Sequence, residues 1–126
     1  MASYTDILSG YIGDKAYKAP CAVATVTDMT NLMTGTPVID GYQTLLNDRV
    51  LVWKNSSAAT NGIYIVNSGA WTRAPDFSTS NGVTAGTQVL VVNGTLYGGF
   101  TFALQQSSVT FGTTSITFKI NNVKVG

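Results

Sequence analysis

Apolar and polar positions alternate with a period of two along most of the chain, and no helix-length stretch carries the 3.6-residue spacing of an amphipathic helix. The pattern begins near Pro20. Residues 21–26 read as a strand, and 37–40 as a short one ending at the turn signal Asp40-Gly41. Residues 49–54 follow, with an apolar centre of Val50-Leu51-Val52-Trp53 dense enough to predict cover on both faces. Residues 62–67 and 70–73 flank Ser68-Gly69, which predicts a hairpin with a two-residue turn and a positive φ at Gly69.

A loop rich in Ser, Thr and Asn spans 75–86. Beyond it, 87–93 and 96–105 predict a pair joined at Asn93-Gly94-Thr95, with Phe100, Phe102 and Leu104 on one face and Thr101 and Ala103 on the other. A last pair is expected from 108–111 and 116–120, where Ile116, Phe118 and Ile120 alternate with Thr117 and Lys119. Seven or eight short strands, with turn signals about every ten residues, predict an all-β fold: a single antiparallel β-sandwich or barrel-like domain over 20–126.

Residues 1–19 differ. Gly10 and Gly13 interrupt the apolar anchors Tyr4, Ile7, Leu8, Tyr11, Ile12 and Tyr17, and two glycines so close together make a long helix costly. The segment is expected to be a short N-terminal arm ordered by a neighbour, with Tyr4, Ile7, Leu8, Tyr11 and Ile12 as its contact residues.

Composition narrows the partners. At 126 residues the chain supports one domain, burying roughly two thirds of its unfolded surface around one core. Charged residues are 10% of the chain against about 25% in an average soluble domain, so polar uncharged residues must carry the surface. The net charge is +1, and Lys15, Lys18, Arg49, Lys54, Arg73, Lys119 and Lys124 are scattered, which gives no clustered footprint for nucleic acid. A surface with so little repulsion favours self-association. Met1 is followed by polar residues rather than a leader pattern, and the apolar runs are strand length, so synthesis in the cytoplasm without a membrane partner is expected.

Chemistry is sparse. The chain has no His and one Cys, Cys21, so the usual nucleophilic triads, His-ligated zinc and disulfides have no residues to build on. Cys21 reads as a small buried hydrophobe. Asp6, Asp14, Asp28, Asp40, Asp48 and Asp76 leave a carboxylate pair formally open, but each stands beside a turn residue or an element boundary, where capping explains it. No catalytic residue, cofactor or metal site is expected. Asn55-Ser56-Ser57 and Asn93-Gly94-Thr95 match the glycosylation pattern without a secretory context.

Two residue classes are left for binding. Trp53 and Tyr64, inside strands, are expected to fill the core, whereas Trp71 beside a turn and Tyr97 are candidate rings for a sugar face, together with the loop 78–81. Arg49 and Arg73 each adjoin an apolar run with Asp48 or Asp76 close in sequence; surface ion pairs and a bidentate clamp across a subunit or loop contact are both open.

The ordered series Asp40-Gly41, Asn47-Asp48-Arg49-Val50-Leu51-Val52, Lys54-Asn55, Asn61-Gly62-Ile63-Tyr64 and Gly69-Ala70-Trp71-Thr72-Arg73-Ala74 with Asp76 resembles a β module recurrent in tailed-bacteriophage tail fibres and tailspikes. That module carries an IDG, a GDRVLVK-type strand, an ENGIYVV-type strand and an AWTRA-x-D segment in this order. The likeness continues through Val83-Thr84-Ala85-Gly86 and Val89-Leu90-Val91-Val92 to Thr113-Thr114-Ser115-Ile116-Thr117-Phe118, covering about 22–119. Asn47 stands where the module has Gly, Trp53 is inserted before Lys54-Asn55, and no shaft repeat or coiled coil is present. The resemblance implies a non-enzymatic virion structural protein, a homotrimer that docks to other virion proteins as a fibre or spike-type, adaptor or head or tail decoration module. The alternative is a receptor- or carbohydrate-binding module for a host surface glycan.

Overall fold

Short strands follow from frequent turns. The computed structural model describes residues 17–79, 83–84 and 86–124, and over these the fold is all-β, without an α-helix. The strands are β1 (Val23–Ala24), β2 (Val38–Ile39), β3 (Tyr42–Gln43), β4 (Arg49–Val52), β5 (Gly62–Ile65), β6 (Thr72–Arg73), β7 (Gln88–Leu90), β8 (Phe100–Leu104) and β9 (Phe118–Lys124). They form a four-stranded sheet in the order β1-β4-β5-β6, a three-stranded sheet β7-β8-β9 and the hairpin β2-β3, with no closure into a barrel. Pairing is antiparallel except that β1 runs parallel to β4.

The segment 17–25 binds the two larger sheets together. Tyr17 and Cys21 bridge in parallel to Gln88 and Val91, and the Cys21 N–H donates to Leu90 O at 2.8 Å. The next residue turns to the other sheet, where the Ala22 N–H donates to Arg49 O at 2.7 Å. One short stretch thus satisfies backbone groups in both sheets, which fixes their spacing.

β4 is covered on both faces, as its apolar run predicts. Leu51 and its register partner Ile63 pack with Val89, Phe102, Leu104 and Phe118 of the three-stranded sheet. Val50, Val52 and Tyr64 point the opposite way and join Val23, Met29, Ile39, Val66 and Trp71. The chain therefore carries two apolar clusters, one on each face of the four-stranded sheet, rather than the one core its length suggests. The hairpin β2-β3 closes the second cluster with Ile39 and the half-buried Tyr42.

Two local expectations are corrected. Ser68-Gly69 is not a two-residue turn: β5 and β6 pair only at Tyr64 with Arg73 and Ile65 with Thr72. The intervening loop is held instead by burial of Val66 and Trp71 and by 33–35, to which it is joined by Trp71 N–H to Met33 O at 3.0 Å and Gly35 N–H to Gly69 O at 3.1 Å. The tight hairpin is at Asp40-Gly41, where φ is 50° and 78°, the paired positive values a type I′ turn needs. Lastly, 108–111 is not a strand, and β9 pairs with β8. Val109 is buried, and the Thr113 and Thr114 N–H groups close a turn on Thr110 O, so this segment plugs the core edge.

Candidate functional site

The two arginines are both tied down within the chain. Arg49 makes a two-point pair with Asp76 at 3.0 and 3.1 Å and also donates to Ala19 O at 3.0 Å. The clamp crosses a loop contact, and its acid is Asp76 rather than the adjacent Asp48. Arg73 meets no acid. Its Nη1 and Nη2 donate to Asn61 O and Ala59 O, each at 2.9 Å, and its guanidinium lies between the rings of Tyr64 and Phe111 at 5.1 and 4.9 Å. Arg73 thereby satisfies carbonyls of the 3-10 turn Ala58–Thr60 and its following residue, a role a planar fork fills and an ammonium does not.

The four described aspartates are held by four separate sets of partners. The Asp28 carboxylate accepts from the Thr30 N–H and hydroxyl at 2.9 and 2.7 Å, and hydrogen bonds from Ser56 first and Thr30 second hold it well below the usual carboxylate range. Asp40 accepts from the Leu96 and Tyr97 N–H groups at 2.9 and 3.0 Å, pinning the turn before β8 to the β2-β3 turn. Asp48 accepts from the Leu45 N–H and the Tyr42 hydroxyl, both at 2.9 Å. Asp76 serves Arg49. Among the described residues no three His, Cys, Asp or Glu side chains group as around a metal ion.

Buried amides continue the same work. Asn55 accepts from the Met29 N–H at 2.8 Å and donates to the Thr60 hydroxyl at 2.9 Å, while its own N–H donates to Asn61 Oδ1 at 3.0 Å. Asn61 then donates to Ile116 O at 2.9 Å. Asn55, the first residue of a glycosylation pattern, is therefore an internal strut. Burial pushes the Cys21 thiol up to about 12 against the pull of the nearby Arg49, so it stays neutral at physiological pH.

The rings divide differently from their predicted roles. Trp71 is 7% exposed and its indole N–H donates to Gly35 O at 2.8 Å, so its face is not offered to a sugar. Tyr64 is buried as expected. Trp53 is only half-buried and meets Tyr97 edge to face at 5.2 Å, with the Lys54 ammonium 4.3 Å from its ring centre. Tyr97 keeps its candidate place and gains Trp53 and Lys54 as neighbours, a grouping that sequence separation concealed. Tyr4, Ile7, Leu8, Tyr11 and Ile12 lie outside the described residues, as do positions 80 and 81 of the loop 78–81.

Sequence pattern also left a surface unread. Leu45 and Leu46 stand exposed between β3 and β4, and a groove of about 180 Å³ runs between 26–29 and 37–40, lined by Val26, Met29, Leu32, Val38 and Ile39 among others. The adjacent Leu pair between a Thr and the Asn47-Asp48 turn was its only signal. In comparison with known proteins, the chain matches no family model, no curated protein and no solved structure.

Proposed function

We propose that the chain is a non-enzymatic structural protein of a tailed-phage virion, a fibre or spike-type, adaptor or decoration module that forms a homotrimer and docks to other virion proteins. One observation carries this reading. The polar residues of the ordered series that resembles the phage module, Asp40, Asp48, Arg49, Asn55, Asn61, Arg73 and Asp76, direct their hydrogen bonds at turns, carbonyls and one another. They brace loops instead of converging on a cleft, which suits a rigid building block. The test is to locate the chain in purified particles by antibody labelling and to measure the free protein's mass by light scattering. Presence in particles and a trimeric mass are expected; absence from particles with a monomeric mass overturns the reading.

A second reading, binding of a host surface glycan, is favoured by the half-buried pair Trp53 and Tyr97 with Lys54 above them. Partly open aromatic rings beside a donor suit a sugar face. Tyr97→Ala is expected to abolish glycan-array binding if this surface is used, and an array without any bound glycan removes the reading.

A further inference from the structure

We infer that Asn93-Gly94 is a self-modification site, at which the Gly94 backbone nitrogen closes on the Asn93 side chain and converts it to aspartate or isoaspartate, while the fold keeps the Asn61-Gly62 step intact. The inference is independent of what the chain assembles with. Its chemistry needs only water. The Gly94 nitrogen gives its proton to hydroxide and attacks Asn93 Cγ; the Cγ–Nδ2 bond breaks and the amide leaves as ammonia. The cyclic imide then takes up one water, and opening at either carbonyl leaves a carboxylate at position 93. Glycine favours the ring closure because it has no Cβ beside the attacking nitrogen.

The reacting groups at 93 and 94 are free. Asn93 stands in the connection between β7 and β8, where its backbone N–H donates to Ala22 O at 2.9 Å. Its side-chain amide has no hydrogen-bond partner among the described residues, and neither of its polar atoms is buried. The Gly94 N–H likewise donates to no group among them. Gly98 lies against the Asn93-Gly94 peptide so closely that a Cβ there would stand 2.9 Å from the Gly94 nitrogen, so this neighbour brings no side chain to cover the nucleophile.

The same dipeptide at 61 and 62 is locked. Asn61 is 2% exposed, its Oδ1 accepts from the Asn55 N–H at 3.0 Å and its Nδ2 donates to Ile116 O at 2.9 Å. Turning Cγ toward the Gly62 nitrogen would break both bonds and leave buried groups unpaired. A third Asn-Gly step, at 81 and 82, lies outside the described residues.

The product forms beside a structural contact. The Asp40 carboxylate borders Gly94, where an added Cβ would collide with Oδ2, and it holds the Leu96 and Tyr97 N–H groups. A second carboxylate one residue away repels it. Isoaspartate also lengthens the main chain by one carbon between the Asn93 N–H, anchored on Ala22 O, and Gly94. Conversion therefore loosens the turn before β8 from the β2-β3 turn.

The test holds the full chain in mildly alkaline water enriched in heavy oxygen, with a parallel sample in urea, and maps both peptide by peptide over time. In the folded chain position 93 is expected to convert at least about tenfold faster than position 61, and urea should bring the two rates together. Conversion at 93 no faster than at 61 in the folded chain overturns the site. Hydrogen exchange then reads the consequence: protection at the Leu96 and Tyr97 amides should fall more than at Leu51 in the aged chain and in Asn93→Asp, but not in Asn93→Gln aged alongside. Unchanged protection after conversion at 93, or an equal loss in Asn93→Gln, overturns the loosening.

Discussion

Arg49 and Asp76, 27 positions apart, meet through two hydrogen bonds of 3.0 and 3.1 Å that pin the turn Pro75–Phe77 against β4. Phe77, fully buried and next in sequence to Asp76, is seated by the same contact. Because the side chains keep 18 and 32% exposure, solvent screens part of the attraction. Asp76→Asn is expected to cost about 1–2 kcal/mol, read as a lower urea midpoint at unchanged slope. Arg49→Lys should lose a similar amount, since a lysine lacks the planar fork with which Nη1 and Nη2 meet both Asp76 oxygens while Nη2 also reaches Ala19 O. An unchanged midpoint in both variants would show that the clamp contributes nothing.

Gly94→Ala is expected to loosen the contact between the β2-β3 turn and the turn before β8. At Gly94 φ is 123°, and an added Cβ would stand 2.4 Å from Asp40 Oδ2, the atom that accepts the Tyr97 N–H. Conformational strain and the displaced carboxylate together should cost about 1–3 kcal/mol. Hydrogen exchange at the Leu96 and Tyr97 amides checks the cause: protection there should fall more than at Leu51.

Acrylamide quenching separates the two tryptophans. Trp53 is half-buried and Trp71 is 7% exposed, so Trp53→Phe should remove most of the quenchable fluorescence and Trp71→Phe should leave it. The reverse order of quenching would contradict the burial of Trp71.

Stability is expected to decline in alkali. Burial raises the Cys21 thiol from 9.0 to about 12, so the unfolded chain releases that proton first, and the thiol's contribution is intact below pH 9 and is lost as the pH rises toward 12. Tyr64, raised mainly by burial, and Tyr42, raised mainly by its hydrogen bond to Asp48, add in the same direction above their ordinary 10.0. Urea midpoints measured from pH 8 to 11 should fall, and Cys21→Ala should reduce the slope of that fall.

Strand positions were legible at most of the places where apolar residues alternated or ran together, the alternating segment 108–111 being the exception. The β4 run announced its cover on both faces, and Phe102 and Leu104 declared the buried side of β8, because side chains on a strand must take alternate faces. Asp40-Gly41 was legible as a turn for an equally local reason, since its residues tolerate positive φ. Asn47 belongs with it: at φ 73° it occupies a conformation in which Asn is among the few side chains to substitute for Gly.

Pairing and exposure were decided elsewhere. Ser68-Gly69 has the residues of a tight hairpin, yet burial of Val66 and Trp71 and pairing with 33–35 pulled the loop open. Arg49 has Asp48 beside it and chooses Asp76, because neighbours on a strand point to opposite faces and only the fold brings the distant acid to the right one. Local propensity and periodicity thus follow from the chain's own order of residues. Which strand, acid or ring meets which depends on contacts between distant segments, and those exist only once the two apolar clusters have closed.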